Sequence, residues 1–400
     1  MGERTLLLGY DLCDSRTQLA VYNRERMEPE LIGQTEENPD AIYDTAIVLE
    51  GQEPIRGFLS RIRRGEDIVV DGKISDPVNV LAYYFRKTLS ATRKQFPSET
   101  IKQLVVTVPD QRADYVRTIY EALEKLNIGR DRAIVISHKQ SFLYYTLYQK
   151  KELWIHDVGL FDYEGDHLYY YQMQLDRKKT PVLVGAIEKD LSDTISVAED
   201  NEEQKGMVFE NIVQGVIHKQ LLSALYMTGS GFDEDWSDEV FKKLCVGRRL
   251  FRGGNLYVSG ACYAAREMAE TARLENYLLL DEDMIHCSIS LPVYKDGKEE
   301  VCLLAKAGTP WYQVDQTVDL IPDGDNELSL EVKNIFTKES TSFMIDLKPV
   351  AGKVNRHCRL SVRLRFTDTK TCVVTIKDRG FGEIFPTSNR IWEKTIVTER

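Results

Sequence analysis

Apolar and polar positions along the chain fall into two regimes. Up to about residue 283 short apolar runs alternate with stretches of helical period; beyond it, period-two segments follow one another with turn residues between them. The first regime opens on residues 5–22. Leu6-Leu7-Leu8, a polar turn at Cys13-Asp14-Ser15 and a second run from Leu19 to Tyr22 predict a strand hairpin that presents Asp11 at its tip. The pattern returns over residues 153–174, where Ile155-His156-Asp157-Val158-Gly159 leads through Glu164-Gly165-Asp166 to Leu168-Tyr169-Tyr170-Tyr171-Gln172-Met173. Two halves that each begin strand, Asp, hairpin, strand are expected, with Asp157 in the second playing the part of Asp11 in the first.

Between and after these hairpins the periodicity places helices and further strands. Ser75-Asp76-Pro77 starts a helix with proline in its first turn, and Val80, Leu81, Tyr84, Phe85, Thr88 and Leu89 share one of its faces. Residues 101–108 read as a buried strand stopped by Pro109, followed by a helix that Asp110 caps and that turns Val116, Ile119, Tyr120 and Leu123 inward. Residues 133–136 read as a strand and 141–148 as a short helix. Beyond residues 181–184 the chain reads as helical, with an acidic segment over 190–203 and amphipathic stretches over 208–225 and 236–245. Residues 255–261 read as a strand running into a small-residue turn, and 263–274 as a helix. Alternating strands and helices predict a mixed sheet flanked by helices. After Met284, turns at Lys295-Asp296-Gly297, Pro322-Asp323-Gly324-Asp325 and Asp378-Arg379-Gly380 predict an antiparallel sandwich, with a domain boundary near 278–283.

Composition narrows the function classes. Four hundred residues with 42% hydrophobic content are enough for two or three packed domains. A net charge of -11 argues against nucleic acid or an anionic membrane as partner, and the run Arg61-Ile62-Arg63-Arg64 is too small to reverse that. With no apolar run long enough to span a bilayer and no secretory signal, a cytoplasmic location is expected. Seven cysteines without a C-x-x-C pair read as reduced structural thiols, and the histidines show no metal-ligand spacing. No phosphate-binding P-loop, dinucleotide glycine pattern or nucleophile elbow is present. His138, His156 and His167 read as surface or hydrogen-bonded residues rather than catalytic bases. The two tip carboxylates and Ser259-Gly260-Ala261 could surround a phosphate-bearing ligand with Mg²⁺. Residue types alone favour ordinary turns on an α/β sheet.

The order of five segments goes further than any one of them. Leu8-Gly9-Tyr10-Asp11-Leu12-Cys13-Asp14-Ser15, then Val106-Thr107-Val108-Pro109 with the strand Ile136-Ser137-His138, then Ile155-His156-Asp157-Val158-Gly159, then Val258-Ser259-Gly260 follow one another in that sequence. Together they resemble the first phosphate hairpin, the Val-Pro strand and connecting strand, the second phosphate hairpin and the adenosine-side turn of the seventy-kilodalton heat-shock chaperone family. The resemblance implies an α/β actin-like, two-lobed (ribonuclease H-like) domain over 1–275 and an interdomain linker over 276–283 carrying Leu278, Leu279, Leu280 and Asp281. An all-β sandwich of the substrate-binding kind over 284–400 follows. It implies ATP or ADP with magnesium at Asp11, Ser15, Asp157, Gly159, Ser259 and Gly260. It also implies a peptide channel at Val318, Ile321, Leu328 and Leu330, although alternate apolar residues of a sandwich are more often core. Val301, Leu303 and Leu320 read as core.

Departures from the family pattern set the functional expectation. Cys13 and Asp14 stand where the family has Gly and Thr, adding a Cβ and a negative charge beside the phosphates; Leu160-Phe161 replaces bare glycine backbone. Ser137-His138-Lys139 stands where the family's connecting strand carries a Glu, and no counterpart of its catalytic Lys is assignable. Nucleotide binding is expected to be weak or lost. The expected function is a chaperone-like protein that binds protein or peptide clients, with an inactive ATPase domain. A working divergent ATPase chaperone and an actin-like scaffold are the alternatives.

Overall fold

Residues 6–12 are all buried, so the first apolar run is a strand covered on both faces: β1, Thr5–Leu12. In the computed structural model, which describes residues 5–51, 53–197, 202–234, 236–245, 249–322, 327–347 and 358–398, the chain divides into two units, Met1–Leu279 and Leu280–Arg400. β1 turns back as antiparallel β2 (Arg16–Asn23), which also pairs with β3 (Glu28–Leu31) and β4 (Tyr43–Asp44). The chain then passes through α1 (Phe58–Arg64), a ribbon of β5 (Ile68–Val70) and β6 (Lys73–Ser75), and α2 (Pro77–Gln95). It returns as β7 (Thr100–Val108), parallel to β1; after α3 (Ala113–Glu124), β8 (Ala133–Ser137) lies parallel to β7. The helix expected after Ser75 forms as read: the Asp76 side chain accepts from the Val78 N–H, Pro77 opens the first turn, and the six residues of its apolar face are buried.

The second half repeats this wiring. After α4 (His138–Tyr148), β9 (Asp157–Glu164) and β10 (His167–Asp176) form the second hairpin, and β11 (Val182–Asp190) extends it antiparallel. Helices α5 (Ser192–Ser196) and α6 (Glu202–Ile217) precede β12 (Leu222–Thr228), parallel to β9; α7 (Trp236–Leu244) precedes β13 (Arg249–Arg252), parallel to β12. Counted from its own first strand, each sheet runs third, second, first, fourth, fifth. α8 (Leu256–Ala269) follows, and β14 (Tyr277–Leu279) adds to the free edge of β11. One core joins Leu7 and Val105 of the first sheet, Val158 and Met173 of the second, and the facing sides of α4 and α8.

Four expectations for this unit are corrected. β12 and β13 are strands inside a stretch expected to be helical; in β12 the run Ala224-Leu225-Tyr226-Met227-Thr228 is buried without alternation, and a short continuous apolar run has no period to separate strand from helix. Residues 255–261 lie largely inside helix α8 rather than in a strand and turn; its first ten residues are all buried, so no polar face announces it. α3 has Arg112, not Asp110, at its N-cap. Within the expected linker, Leu278 and Leu279 are strand residues paired with Leu183 and Val184, so the polypeptide leaves the first unit only at Leu280 and Asp281.

The second unit is an antiparallel sandwich. β15 (Cys287–Lys295), β16 (Lys298–Ala305), β18 (Glu327–Asn334) and β19 (Ser340–Asp346) form one sheet in the order β16-β15-β18-β19, and β17 (Asp315–Leu320), β20 (Leu360–Phe366), β21 (Thr371–Asp378) and β22 (Ile391–Val397) form the other in chain order. Ile289, Leu330, Leu364 and Val374 are among its buried core residues. Val301 and Leu303 are not core: they are 70% and 51% exposed on edge strand β16, whose Leu304 is buried instead. The turn expected over 323–325 lies outside the described residues, as does part of the acidic segment at 198–201. Among the described residues, no helix is long and apolar enough to cross a membrane.

Candidate functional site

The first hairpin tip is built on Asp11 near the end of β1 and Cys13 just past it. Asp11 and Cys13 stand two apart, so their side chains point to the same face. They meet His138, the first residue of α4, which is placed by a capping box: the Ser137 hydroxyl accepts from the Gln140 N–H while the Gln140 side chain accepts from the Ser137 N–H. His138 Nε2 lies 2.8 Å from Asp11 Oδ1 and 3.6 Å from Cys13 Sγ, and the Cys13 thiol donates to Asp11 Oδ1 at 3.3 Å. All three residues are buried, and the His138 ring stacks on Tyr257 of α8 with centroids 3.7 Å apart. Asp14, expected to repel phosphate, is turned the other way. Its carboxylate accepts from the Ser60 N–H and hydroxyl at 2.8 Å and is paired with Arg63, both on α1.

In the second hairpin the acid at the tip is Asp162, not Asp157. Asp11 is cross-strand partner to Gln18 and parallel partner to Thr107; Asp162 is cross-strand partner to Tyr169 and parallel partner to Thr228. Six residues therefore separate each acid from its cross-strand partner, at the same place in its sheet. Asp157 opens β9 five residues earlier, about 17 Å along the strand at 3.4 Å per residue, where Gln172 Nε2 donates to it at 2.7 Å. The strand runs on through Leu160 and Phe161, which moves the turn to Gly165. Gly159 lies inside β9, where a Cβ would come within 2.6 Å of Leu225 and 2.9 Å of the Tyr170 ring; it makes room for packing.

The remaining expected ligand positions separate. Ser259 and Gly260 sit in the middle of α8, where a Cβ on Gly260 would lie 2.0 Å from the Ser141 carbonyl oxygen, so this glycine brings α8 against α4 and forms no turn. Ser15 does lie at the tip, and its hydroxyl donates to Glu164 Oε1 at 3.0 Å. Glu164 also lies 3.4 Å from the Arg16 guanidinium and accepts from the Ser230 N–H at 3.0 Å, which ties the first tip to the second. In the sandwich, Leu330 is fully buried, Val318 and Leu328 are half-buried against the same core from opposite sheets, and Ile321 is 55% exposed just past β17.

The electrostatics of the paired tips differ. Burial pushes the Asp162 carboxyl above its ordinary value of 3.8, with His138, the Tyr257 hydroxyl at 2.7 Å and Arg16 pulling it back. Burial, then the Asp11 charge, pushes the Cys13 thiol well up, and burial with the Asp162 charge does the same to Tyr257. Burial works against the Arg16 charge, but Glu164 and Asp11 more than offset it. The Thr107 and Thr228 hydroxyls, at matching positions beside the two acids, are buried without a hydrogen-bond partner. One imidazole nitrogen faces both the Cys13 thiol and the Asp11 carboxylate, so the ring is shared between them rather than paired with the thiol alone. Sequence reading missed His138, Cys13 as a partner of His138, Asp162 and Tyr257. Cys13 and His138 are 125 residues apart, and only the duplicated register reveals Asp162.

Comparison with known proteins adds a family. The chain belongs to a family of unknown function (DUF5716), whose C-terminal model matches residues 41–282, more than half of its length. A second model, a domain of unknown function (DUF8552), matches residues 284–398. No curated protein matches the chain.

Proposed function

We propose that the first unit is an actin-like, ribonuclease H-like domain of the heat-shock-chaperone kind that no longer works as an ATPase, and that the protein acts by binding other proteins. The observation that carries this reading is the duplicated third-second-first-fourth-fifth sheet with Asp11 and Asp162 in register, combined with side chains where phosphates would lie. His138 and Cys13 occupy the face of Asp11, the Tyr257 hydroxyl holds Asp162, and Glu164 links the tips through Ser15 and Arg16. Anionic phosphates would meet the buried Asp11 and the half-buried Asp162 with, among the described residues at the tips, no flexible glycine run, a repulsion of several kcal/mol at partly buried distances. Magnesium and ATP thus have no cradle of the family's type in this reading. Val301 and Leu303 favour the sandwich as the binding part, because apolar residues on an edge strand suit the addition of an extended peptide strand.

Two assays on the full chain test the reading together. Phosphate release from MgATP should stay at the buffer background, and fluorescence anisotropy with labelled extended heptapeptides should show binding that MgATP does not alter and that Val301→Glu with Leu303→Glu weakens. Turnover above background that Asp11→Asn abolishes, or peptide release on adding MgATP, would restore the working chaperone instead.

A further inference from the structure

The cluster at the first tip has the composition of a metal site. Asp11 Oδ1, Cys13 Sγ and His138 Nε2, three different kinds of donor, lie within 4.8 Å of one another and are all buried. Bonds of about 2.0 to 2.3 Å at tetrahedral angles would put oxygen and nitrogen about 3.4 Å apart and sulfur about 3.6 Å from each. The separations here are 2.8, 3.3 and 3.6 Å, so an outward shift of a few tenths of an ångström opens the coordination geometry. We propose that Asp11, Cys13 and His138 bind a single zinc-class divalent ion. The inference is independent of the ATPase reading, since no nucleotide enters it.

The donors decide which ion. A thiolate with an imidazole suits Zn²⁺ and its spectroscopic substitute Co²⁺, whereas Mg²⁺ and Ca²⁺ take oxygen donors. Binding releases the Cys13 thiol proton to solvent and places the imidazole proton on Nδ1, leaving the Nε2 lone pair for the metal. One thiolate and one carboxylate then balance the two positive charges, so the assembled site is neutral, which is what burial demands. The ligands are held in advance: Asp11 by β1, Cys13 by the turn in which its N–H donates to the Arg16 carbonyl, and His138 by the α4 capping box and by stacking on Tyr257. Three protein donors leave the fourth position to water or an incoming ligand.

The test uses the full chain with any affinity tag removed. Protein equilibrated with ZnSO4 and desalted should retain about one zinc per chain by mass spectrometry. Retention should fall at least about tenfold in Cys13→Ser and His138→Gln, and stay unchanged in Cys245→Ser, which alters an exposed thiol elsewhere. The Co²⁺ form of the unaltered protein should show a thiolate-to-cobalt charge-transfer band with tetrahedral visible bands, a readout that needs no variant to fold. Folded wild-type protein that retains no zinc, retention unchanged in Cys13→Ser, or a cobalt spectrum without a thiolate band would each overturn the proposal.

Discussion

The two hairpin tips share a register and a threonine beside each acid, and differ in the side chains that meet the carboxylates. At the first, Asp11 keeps close company with a thiol and an imidazole, and the adjoining Asp14 is drawn away to Arg63. At the second, Asp162 has a phenol for its partner and a carboxyl that burial pushes up, while Glu164 takes the position nearest the opposite tip. A duplicated backbone thus fixes where two acids stand, and the neighbouring side chains decide what each can hold. The first tip gathers a thiol and an imidazole on one carboxylate, and the second holds an acid whose carboxyl burial pushes up.

Substitutions that act on both copies should break this comparison most visibly where backbone is involved. A Cβ at Gly9 would meet the Val258 carbonyl oxygen at 2.3 Å and the Cys262 nitrogen at 2.5 Å, both helix backbone, whereas at Gly159 it meets the Leu225 side chain and the Tyr170 ring. Gly9→Ala should therefore cost about 3 kcal/mol or more and Gly159→Ala about half of that, read from urea denaturation midpoints.

Next in size are the partners of the acids. In chelator-treated protein, His138→Ala leaves the buried Asp11 with a weak thiol donor and should cost about 3 kcal/mol. Tyr257→Phe removes one hydroxyl from Asp162, which can take up a proton, and should cost only about 1 to 2 kcal/mol. Equal costs would contradict the distinction between the tips.

The pH dependence sharpens the same point. Because burial raises the Asp162 carboxyl above 3.8 in the fold, the folded chain holds that proton to higher pH than the unfolded chain does. Unfolding then releases a proton in the window that opens near pH 3.8, so stability falls as pH rises through it. Asp162→Asn should flatten that part of the stability profile and be neutral or stabilising at pH 7; a steeper profile in the variant would show that Asp162 is charged in the fold. Glu164→Ala should cost only about 0.5 to 1 kcal/mol, since its ion pair with Arg16 is partly solvated.

Much of this was legible along the chain where periodicity and turn chemistry agree. β1, α2 and β7 could be read from apolar spacing with Asp76, Pro77 and Pro109 as punctuation, and the change to period two marked the sandwich. β12 and α8 were not, because an element buried all round shows no polar face. The site was half legible. Asp11 stood out beside its turn, but a strand that continues past Gly159 hid Asp162, and the meeting of Cys13 with His138 is a property of the folded sheet and helix rather than of any local spacing.

Isothermal titration of the purified chain with MgATP tests the central claim, that side chains have replaced the phosphates between two aligned acids. A dissociation constant weaker than about 1 mM, equivalent to less than about 4 kcal/mol of binding free energy, is the predicted result. Saturable micromolar binding that Asp11→Asn and Asp162→Asn each abolish would contradict it.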